Sequence, residues 1–349
     1  MEIIYKNKNE ELFISSWIEY IKNNRATFNY LLSRIDINLL LINDLLIDSS
    51  FVVIENNKCL GICFLPIEKN KNYNSITLSN GYTISPLFQN KKVEKFIFDT
   101  IDEIAKKNNV KIIKFYNSSL IDVYQNSSNY FLKYNFINTS TTTGIVDLTD
   151  NNIWTNIRKH YKSMINKVLK DNNFSIYIMN NNNADYAVHE KYRFLHEKCA
   201  GRVTRIKKTF DKQFEMLQNG FATMIGLKYN NIFIGMQYFF HFQKTVIYGS
   251  GADDPEYTKE GFNIYHPILW EAQKYFKDNK FEYLDYSQPF GYSLVQGYDD
   301  YYDEKQLNIS YFKRGMGAEM KTLNRGIKYI DKDLLLKDIN MYKDKVLEL

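Results

Sequence analysis

The order of secondary-structure elements repeats once along this 349-residue chain. Each half reads as helix, hairpin, strand, loop, helix and strand. The hairpin of each half turns at an Asn-Asn pair, at 56–57 and at 230–231, which is a strong signal for a tight turn. Pro86 and Pro255 occupy the corresponding loops and lie 169 residues apart. A repeat of this kind favours two similar units that arose by duplication over chance similarity.

The patterns within each half predict an α/β fold with mixed sheets. In the first half, a helix over 9–24 places four large apolar residues on one face, namely Phe13, Trp17, Tyr20 and Ile21. In each half a strand leads through a loop to a helix start, where unpaired backbone N–H groups suit a pyrophosphate or carboxylate. The two loops read SPLFQNKKVEK and PEYTKEGFNIY, and neither is glycine-rich.

The length suits two domains of ordinary size. The polar stretch DLTDNN at 147–152 predicts a boundary between a domain over 1–150 and a domain over 151–349. The net charge of +5 is too small to argue for nucleic-acid binding from the total.

The three cysteines are Cys59, Cys63 and Cys199, and none has metal-ligand spacing. We therefore expect no metal site, with Cys59 and Cys63 as small apolar groups on one face of a strand. The chain shows neither a secretory signal nor the roughly 20 apolar residues that a spanning helix needs, so we expect a cytoplasmic protein.

Four stretches of the second half resemble the Fem family and the FemAB-like acetyltransferases. They are WTNIRKHYKSMINKVLK (154–170), CAGRVTRIKKTFDKQFEML (199–217), YGSGADDPEYTKEGFNIYHPILWEAQKYF (248–276) and LNISYFKRGMGAE (307–319). The first half matches in element order alone. The resemblance implies two tandem acetyltransferase-like (GNAT) domains side by side with the acceptor in the cleft, the first domain being structural and forming one wall.

The resemblance also implies the reaction, which is amide formation from an activated acyl donor without a tightly bound cofactor. The donor would be aminoacyl-tRNA or acyl-CoA, and the absence of glycine-rich loops favours aminoacyl-tRNA. The acceptor would be an amine on an amino-sugar or nucleotide-linked precursor of a cell-surface glycan.

Lys313 and Phe312 are the first candidates for catalysis, since the resemblance places this Phe-Lys pair beside the reacting ester. A cation there can stabilise the oxyanion or hold a donor phosphate; the alternative is a solvated lysine at the end of a strand. Asp253, Asp254 and Asp285 are the nearest carboxylates that could take the amine proton; the alternative is that solvent or a substrate phosphate takes it.

Substrate binding is predicted for two groups of residues. Arg202 and Arg205 could clamp a diphosphate, or could be ordinary surface arginines. The other predicted contacts are Arg158 at the basic helix, Arg314, and Tyr248, Gly249 and Ser250 at the end of a central strand. The basic helix could instead be a solvated amphipathic helix, and Arg314 could be a structural partner. In GNAT folds a splayed strand at this place exposes a backbone N–H to the acyl carbonyl, although glycines at a strand end are also common turn formers.

Two other functions stay open at this point. One is an acyl-CoA-dependent N-acetyltransferase of a sugar. The other is a non-catalytic binding or scaffold module, since a duplicated fold can lose a site.

Overall fold

A computed structural model gives the structure of the protein and describes residues 1–70, 72–121, 128–287 and 304–348. Within these residues the chain forms two compact units. Unit 1 contains the described residues of 1–142 and 322–348, and unit 2 contains those of 143–287 and 304–321.

The described residues of both units form helices and strands. In chain order, the helices are α1 (Glu10–Asn23), α2 (Leu32–Leu41), α3 (Lys91–Lys107), α4 (Lys159–Leu169), α5 (Tyr186–Ala200), α6 (Lys207–Gln218), α7 (Pro255–Lys259), α8 (Tyr265–Asp278), α9 (Glu304–Gly315) and α10 (Lys332–Leu347). The strands are β1 (Glu2–Tyr5), β2 (Leu45–Asp48), β3 (Phe51–Glu55), β4 (Lys58–Cys63), β5 (Pro66–Lys69), β6 (Asn74–Ile76), β7 (Thr83–Ile84), β8 (Leu87–Phe88), β9 (Val110–Tyr116), β10 (Ile137–Asn138), β11 (Thr141–Asp147), β12 (Phe174–Met179), β13 (Ala222–Tyr229), β14 (Ile232–Phe242), β15 (Thr245–Asp253), β16 (Tyr283–Asp285), β17 (Glu319–Leu323) and β18 (Arg325–Tyr329).

Helix α1 forms where the sequence predicts it. Asn9 lies at its N-cap, and the side-chain oxygen of Asn9 accepts a hydrogen bond from the Leu12 N–H at 3.1 Å. Glu10 and Glu11 follow in the first turn, where negative charge interacts favourably with the helix dipole. The predicted apolar face is buried, as shown by Phe13, Trp17, Tyr20 and Ile21.

Both predicted hairpins form at their Asn-Asn pairs. Asn56 and Asn57 have φ of 51° and 60°, and Asn230 and Asn231 have φ of 48° and 65°. Two successive left-handed residues give the two-residue turn whose twist matches that of paired strands. The turns join β3 to β4 and β13 to β14 in antiparallel pairs.

The predicted strand, helix and strand segment is also present in each unit. In unit 1, β7 and β9 are parallel neighbours and α3 lies between them in the chain. In unit 2, β15 and β16 are parallel neighbours connected through α7 and α8. The repeated element order is thereby confirmed.

Unit 1 contains two sheets, with strand orders β1-β3-β4-β8 and β10-β18-β9-β6-β5-β2, and β7 also pairs with β9. Strand β18 belongs to this unit because its backbone pairs with β9, from Arg325 opposite Tyr116 to Tyr329 opposite Ile112. Residues 322–348 therefore lie in unit 1, whereas the sequence interpretation placed the whole of 151–349 in the second domain. Hydrogen bonding between strands far apart in sequence decides this assignment.

Unit 2 is built on one sheet with strand order β12-β13-β14-β15-β16-β11-β17. Successive side chains of a strand point to opposite faces, and Tyr238 and Phe239 of β14 show what covers each face. The Tyr238 ring lies 4.8 Å from that of Tyr192 on α5, whereas the Phe239 ring lies 5.6 Å from that of Phe276 on α8. Helices α5 and α8 therefore pack on opposite faces of the sheet.

Within the described ranges, none of the helices combines the length and the apolar character needed to cross a membrane. The same residues contain no group of three or more His, Cys, Asp or Glu side chains that could hold a metal ion. Cys59 and Cys63 are buried in β4, and burial raises the pKa of both thiols.

Candidate active site

Strands β15 and β16 separate part-way along the sheet of unit 2. They pair over Thr245–Ile247 and Tyr283–Asp285, whereas β15 continues to Asp253 beside β14. The chain after β16 turns towards β11, where the Tyr286 N–H donates to the Gly144 carbonyl at 2.9 Å. A gap therefore opens at the carboxyl ends of two parallel strands, the position at which open α/β sheets bind ligands.

Gly249 lies in an irregularity of β15 beside this gap. Ser250 is opposite Tyr238 and Tyr248 is opposite Phe239, so that Gly249 has no cross-strand partner in the register. A Cβ at Gly249 would come 2.1 Å from Cε2 of Phe240 and 3.2 Å from the Tyr238 carbonyl. A bulge of this kind redirects the backbone next to a site, and close packing keeps the position small.

Lys313 lies in the last turn of α9 and reaches the same gap. Its Nζ donates to the Tyr286 carbonyl at 2.5 Å and to the Ser287 carbonyl at 3.4 Å. The ammonium group also lies 4.7 Å from the centre of the Tyr248 ring, within the range of a cation–π contact. Lys313 is 7% exposed. The alternative of a solvated lysine at a strand end is therefore wrong, because this lysine is helical and buried.

Burial changes the acid–base chemistry of Lys313. Loss of hydration lowers the pKa of the ammonium group to about 8, and the nearby Asp285 carboxylate opposes this shift. The ordinary value for lysine is about 10.4. At neutral pH Lys313 is therefore still mostly protonated, but it loses its proton more readily than a surface lysine does.

Asp285 closes the other side of this cluster. Its Oδ1 accepts hydrogen bonds from the Thr143 hydroxyl and from the Ser287 N–H, both at 2.7 Å, and the residue is 7% exposed. These bonds fix the carboxylate at the end of β16. The structure thus brings together three residues singled out in the sequence, Lys313, Tyr248 and Asp285.

Phe312 and Arg314, which are adjacent to Lys313 on α9, contact different residues from those that Lys313 contacts. The Phe312 ring packs 4.9 Å from His266 and 5.8 Å from Tyr161, so it helps to anchor α9 against α8 and α4. The half-buried Arg314 has its guanidinium 5.7 Å from the Tyr311 ring centre.

Arg158 lies beside Arg314. Its guanidinium stacks 3.7 Å from the Tyr311 ring centre and donates to the Tyr311 carbonyl at 3.0 Å. Burial and the proximity of Arg158 both lower the pKa of Arg314. Two predicted phosphate ligands, Arg158 and Arg314, are therefore neighbours that flank the exposed Tyr311.

Arg202 and Arg205 point to different surroundings. Arg202 is exposed, and no partner of its guanidinium is found among the described residues. Arg205 is half-buried, with its guanidinium 3.9 Å from the Phe210 ring centre and a hydrogen bond to the Gln213 side chain at 2.5 Å. Arg205 thus holds the turn between α5 and α6, and Arg202 presents its charge to solvent.

Tyr192 is a residue of this region that sequence analysis missed. Its hydroxyl shares a 2.5 Å hydrogen bond with the Ser250 hydroxyl, and burial raises the pKa of Tyr192. This contact ties α5 to the irregular part of β15. A tyrosine within an apolar helical pattern looks like a core residue, so no local signal could have identified it.

The other two candidate carboxylates, Asp253 and Asp254, hold nearby segments in place through hydrogen bonds and an ion pair. Asp253 accepts hydrogen bonds from the Tyr265 hydroxyl at 2.7 Å, the Thr258 hydroxyl at 2.5 Å and the Cys199 thiol at 3.2 Å. Asp254 caps α7 through the Glu256 N–H and pairs with Lys198 at 2.8 Å.

Comparison with solved structures shows which proteins share the fold of this chain. The structure is similar to that of FemX, with 15% sequence identity, 83% of this chain and 90% of that chain covered, and a TM-score of 0.58. It is also similar to L-PGS from Bacillus licheniformis, with 10% identity, coverage of 84% and 88%, and a TM-score of 0.57. A tandem GNAT protein from the clavulanic acid biosynthesis pathway shows 10% identity, coverage of 94% and 98%, and a TM-score of 0.50.

The chain has the Fem-type tandem GNAT fold. No protein-family model matches the sequence, and no curated protein matches it. The expectation of two GNAT-like units is confirmed. In both units a strand, a helix and a parallel strand form the centre of the fold, and in unit 2 the splayed pair β15 and β16 frames Lys313.

Proposed function

We propose that the protein is an N-acyltransferase that moves an acyl or aminoacyl group from an activated donor onto an amine. The acceptor is an amino-sugar or nucleotide-linked precursor of a cell-surface glycan, and the reaction takes place in the cytoplasm, where such donors occur. The observation that carries the proposal is the position of Lys313, a buried cation in the gap between β15 and β16.

Aminolysis of an ester or thioester creates a negative charge on the carbonyl oxygen as the amine attacks. A fixed cation in a poorly hydrated site is most effective at that moment, because the surroundings screen its charge weakly. Lys313 is held by the Tyr286 and Ser287 carbonyls and by the Tyr248 ring. Its role is to stabilise the oxyanion.

The amine must also lose a proton as the C–N bond forms, and the leaving tRNA oxygen or CoA sulfur takes up a proton when its bond to the acyl carbon breaks. We assign this step to Asp285, which is buried. Its negative charge also favours the protonated form of Lys313. The hydrogen bonds from Thr143 and Ser287 orient the carboxylate. Asp253 and Asp254 are less suited to this role because Asp285 is the carboxylate whose charge acts on Lys313.

Aminoacyl-tRNA is the favoured donor, since neither loop before a central helix is glycine-rich. In unit 2 that loop contains the short helix α7, which Asp254 caps. Acyl-CoA is the alternative. The N-terminus of α8 has no side-chain cap, and free N–H groups there would suit a pyrophosphate, but Pro267 removes one N–H from the first turn.

Arg158 and Arg314 are the best candidates for a phosphate of the acceptor or of the tRNA, because both guanidinium groups flank Tyr311. Two adjacent guanidinium groups can bind one phosphate through several charge-assisted hydrogen bonds. Arg202 is a second, exposed contact, with Arg205 supporting the turn that carries it.

A product-detection assay tests the proposal. The protein is incubated with amino sugars and UDP-linked amino sugars, together with either mixed aminoacyl-tRNA or acetyl-CoA, and new amides are measured by mass spectrometry. Amide formation that depends on Lys313 supports an acyltransferase, and the donor that is consumed separates the two alternatives. Failure with both donor classes across the acceptor panel would favour the non-catalytic binding module.

A further inference from the structure

A buried glutamine lies next to the part of β15 that faces the gap. Gln237 of β14 is opposite Gly251 of β15 in the register of the sheet, and the residue is 0% exposed. Neither the nitrogen nor the oxygen of its amide has a hydrogen-bond partner among the residues that the structure describes. Buried polar groups of folded proteins are nearly always paired, so this amide requires an explanation.

Gln273 shows what a buried glutamine does when its role is structural. Its amide nitrogen donates to the Tyr286 hydroxyl and to the Met316 carbonyl, both at 2.7 Å. Gln273 thereby ties α8 to the end of β16 and to the segment after α9. The Gln237 amide makes no such connection within the described part of the chain. Since an unpaired buried amide destabilises the folded state, we look for its partner in a ligand.

The lack of a side chain at Gly251 brings Gln237 close to the candidate active site. A Cβ at Gly251 would lie 3.0 Å from Cγ of Gln237 and 2.5 Å from the Tyr248 hydroxyl. Gln237 and Tyr248 therefore share the space that a side chain at position 251 would need. The Tyr248 ring also contacts the Lys313 ammonium, which lies 4.7 Å from the ring centre. One ring thus connects the proposed oxyanion site with Gln237.

This part of β15 can be reached from outside. Gly249 is exposed, and Ser250 and Gly251 are half-buried. The pairing of β15 with β16 ends at Ile247, so a ligand in the gap approaches Gly251 without breaking that pairing. The Gln237 amide lies directly beside this glycine.

The charges around Gln237 favour a neutral partner. The Lys313 ammonium opposes a second positive charge. The Tyr265 ring lies 3.2 Å from the position of a Cβ at Gly251, and its hydroxyl donates to the Asp253 carboxylate at 2.7 Å. This carboxylate opposes a negative charge. A side-chain amide both donates and accepts hydrogen bonds, so a hydroxyl or a carboxamide, which also do both, matches it best.

We propose that Gln237 is a specificity-determining residue that binds a hydroxyl or carboxamide of the transferred acyl group. The inference rests on the proposed acyltransferase function and adds the class of acyl group to it. An apolar acyl group would leave both amide atoms of Gln237 unpaired, and sites of this kind discriminate strongly against such analogues. Burial raises the pKa of Tyr248, so its hydroxyl stays protonated at neutral pH and can donate to the same group.

Calorimetric titration of the full chain without an acceptor tests the proposal with pairs of donor analogues. The members of each pair have nearly the same shape and differ in one polar group. Threonyl and valyl amides of 3′-amino-3′-deoxyadenosine test a hydroxyl, and the asparaginyl and leucyl amides test a carboxamide. The thioesters β-hydroxybutyryl-CoA and isovaleryl-CoA test a hydroxyl on the other donor class. We expect the polar member of at least one pair to bind about 10- to 100-fold more tightly than the apolar member.

Variants of the chain locate this preference. Gln237→Leu keeps a similar volume and removes both polar atoms, so the two members of the pair should bind equally. It should also unfold at a higher urea concentration, because an unpaired amide is lost. Thr223→Val is the matched control, since Thr223 is buried and its hydroxyl is hydrogen-bonded to Nε2 of His241 at 3.0 Å. This control should unfold at a lower urea concentration and keep the preference. If Gln237→Leu does not fold, as judged by circular dichroism, Gln237→Met decides.

Three outcomes would overturn the proposal. They are no binding of any analogue, equal binding within every pair by the wild-type chain, and a preference that persists in Gln237→Leu. A preference that depends on Gln237, combined with no product in the acyltransferase assay, would keep the polar site and reject the transfer reaction. Product formation without any such preference would do the reverse.

Discussion

Replacing Lys313 by Met is the most informative single change. The substitution keeps an unbranched apolar stem of similar length and deletes the charge. If Lys313 stabilises the oxyanion, turnover should fall about 100- to 1000-fold, or about 3 to 4 kcal/mol of transition-state energy, as when one oxyanion donor is removed. Lys313→Arg should restore part of the rate, because a planar guanidinium places its charge differently.

The expected effect of this change on stability is small, and the structure gives the reason. Loss of the ammonium group leaves the Tyr286 carbonyl without its 2.5 Å donor, which costs about 1 to 3 kcal/mol for a buried acceptor. The variant also removes a charge that burial disfavours, as the lowered pKa of Lys313 shows. The two effects oppose each other, so folding should survive.

Single-turnover kinetics with saturating donor and acceptor would measure the change, with urea unfolding of both proteins as the control for folding. A folded Lys313→Met variant that binds both substrates and turns over like the wild type would refute the reasoning. Lys313 would then be a structural tether between α9 and the end of β16.

Three other predictions follow from the site. Because burial lowers the pKa of Lys313 to about 8, turnover should fall as the pH rises through about 8. From there up to the unfolded-state pKa of about 10.4, the free energy of unfolding should increase, since the unfolded chain holds a proton that the folded chain has lost. Both effects should be absent from a pH series with Lys313→Met. Gly249→Ala should destabilise the protein by about 1 to 3 kcal/mol in urea unfolding, since a Cβ would lie 2.1 Å from the Phe240 ring, and an unchanged midpoint would contradict the packing argument. Arg202→Ala should raise the acceptor KM without a change in the unfolding midpoint. Arg205→Ala should raise the acceptor KM and also lower stability, because its contacts with Phe210 and Gln213 are lost. An unchanged KM in both variants would show that neither arginine belongs to the site.

Residues near in sequence explain which features of the fold were predictable. The Asn9 cap and the three- and four-residue spacing of Phe13, Trp17 and Tyr20 define α1. The Asn-Asn pairs define both hairpins because asparagine adopts the left-handed conformation at low cost. These interactions span a few residues, so the sequence reveals them directly.

The candidate site was predictable in part, and mainly through the family resemblance. The resemblance singled out Lys313, but its helical setting and its burial against Tyr248 and Tyr286 were not visible in the sequence. Phe312 was expected beside the reacting ester, whereas its ring packs against His266 and Tyr161. Adjacent residues on a helix point in different directions, so proximity in sequence did not place both in the gap.

The sequence by itself determined the two-unit α/β organisation, the helices, the hairpins and the position of the central parallel strands. The tertiary structure alone decided that β18 pairs with β9, over 200 residues earlier in the chain, and that Arg158 and Arg314 meet at Tyr311. It also decided the separation of β15 from β16 and the burial of Lys313 between them. The physical reason is that local periodicity and turn geometry involve neighbours along the chain, whereas strand pairing, desolvation and charge proximity depend on which distant segments pack together.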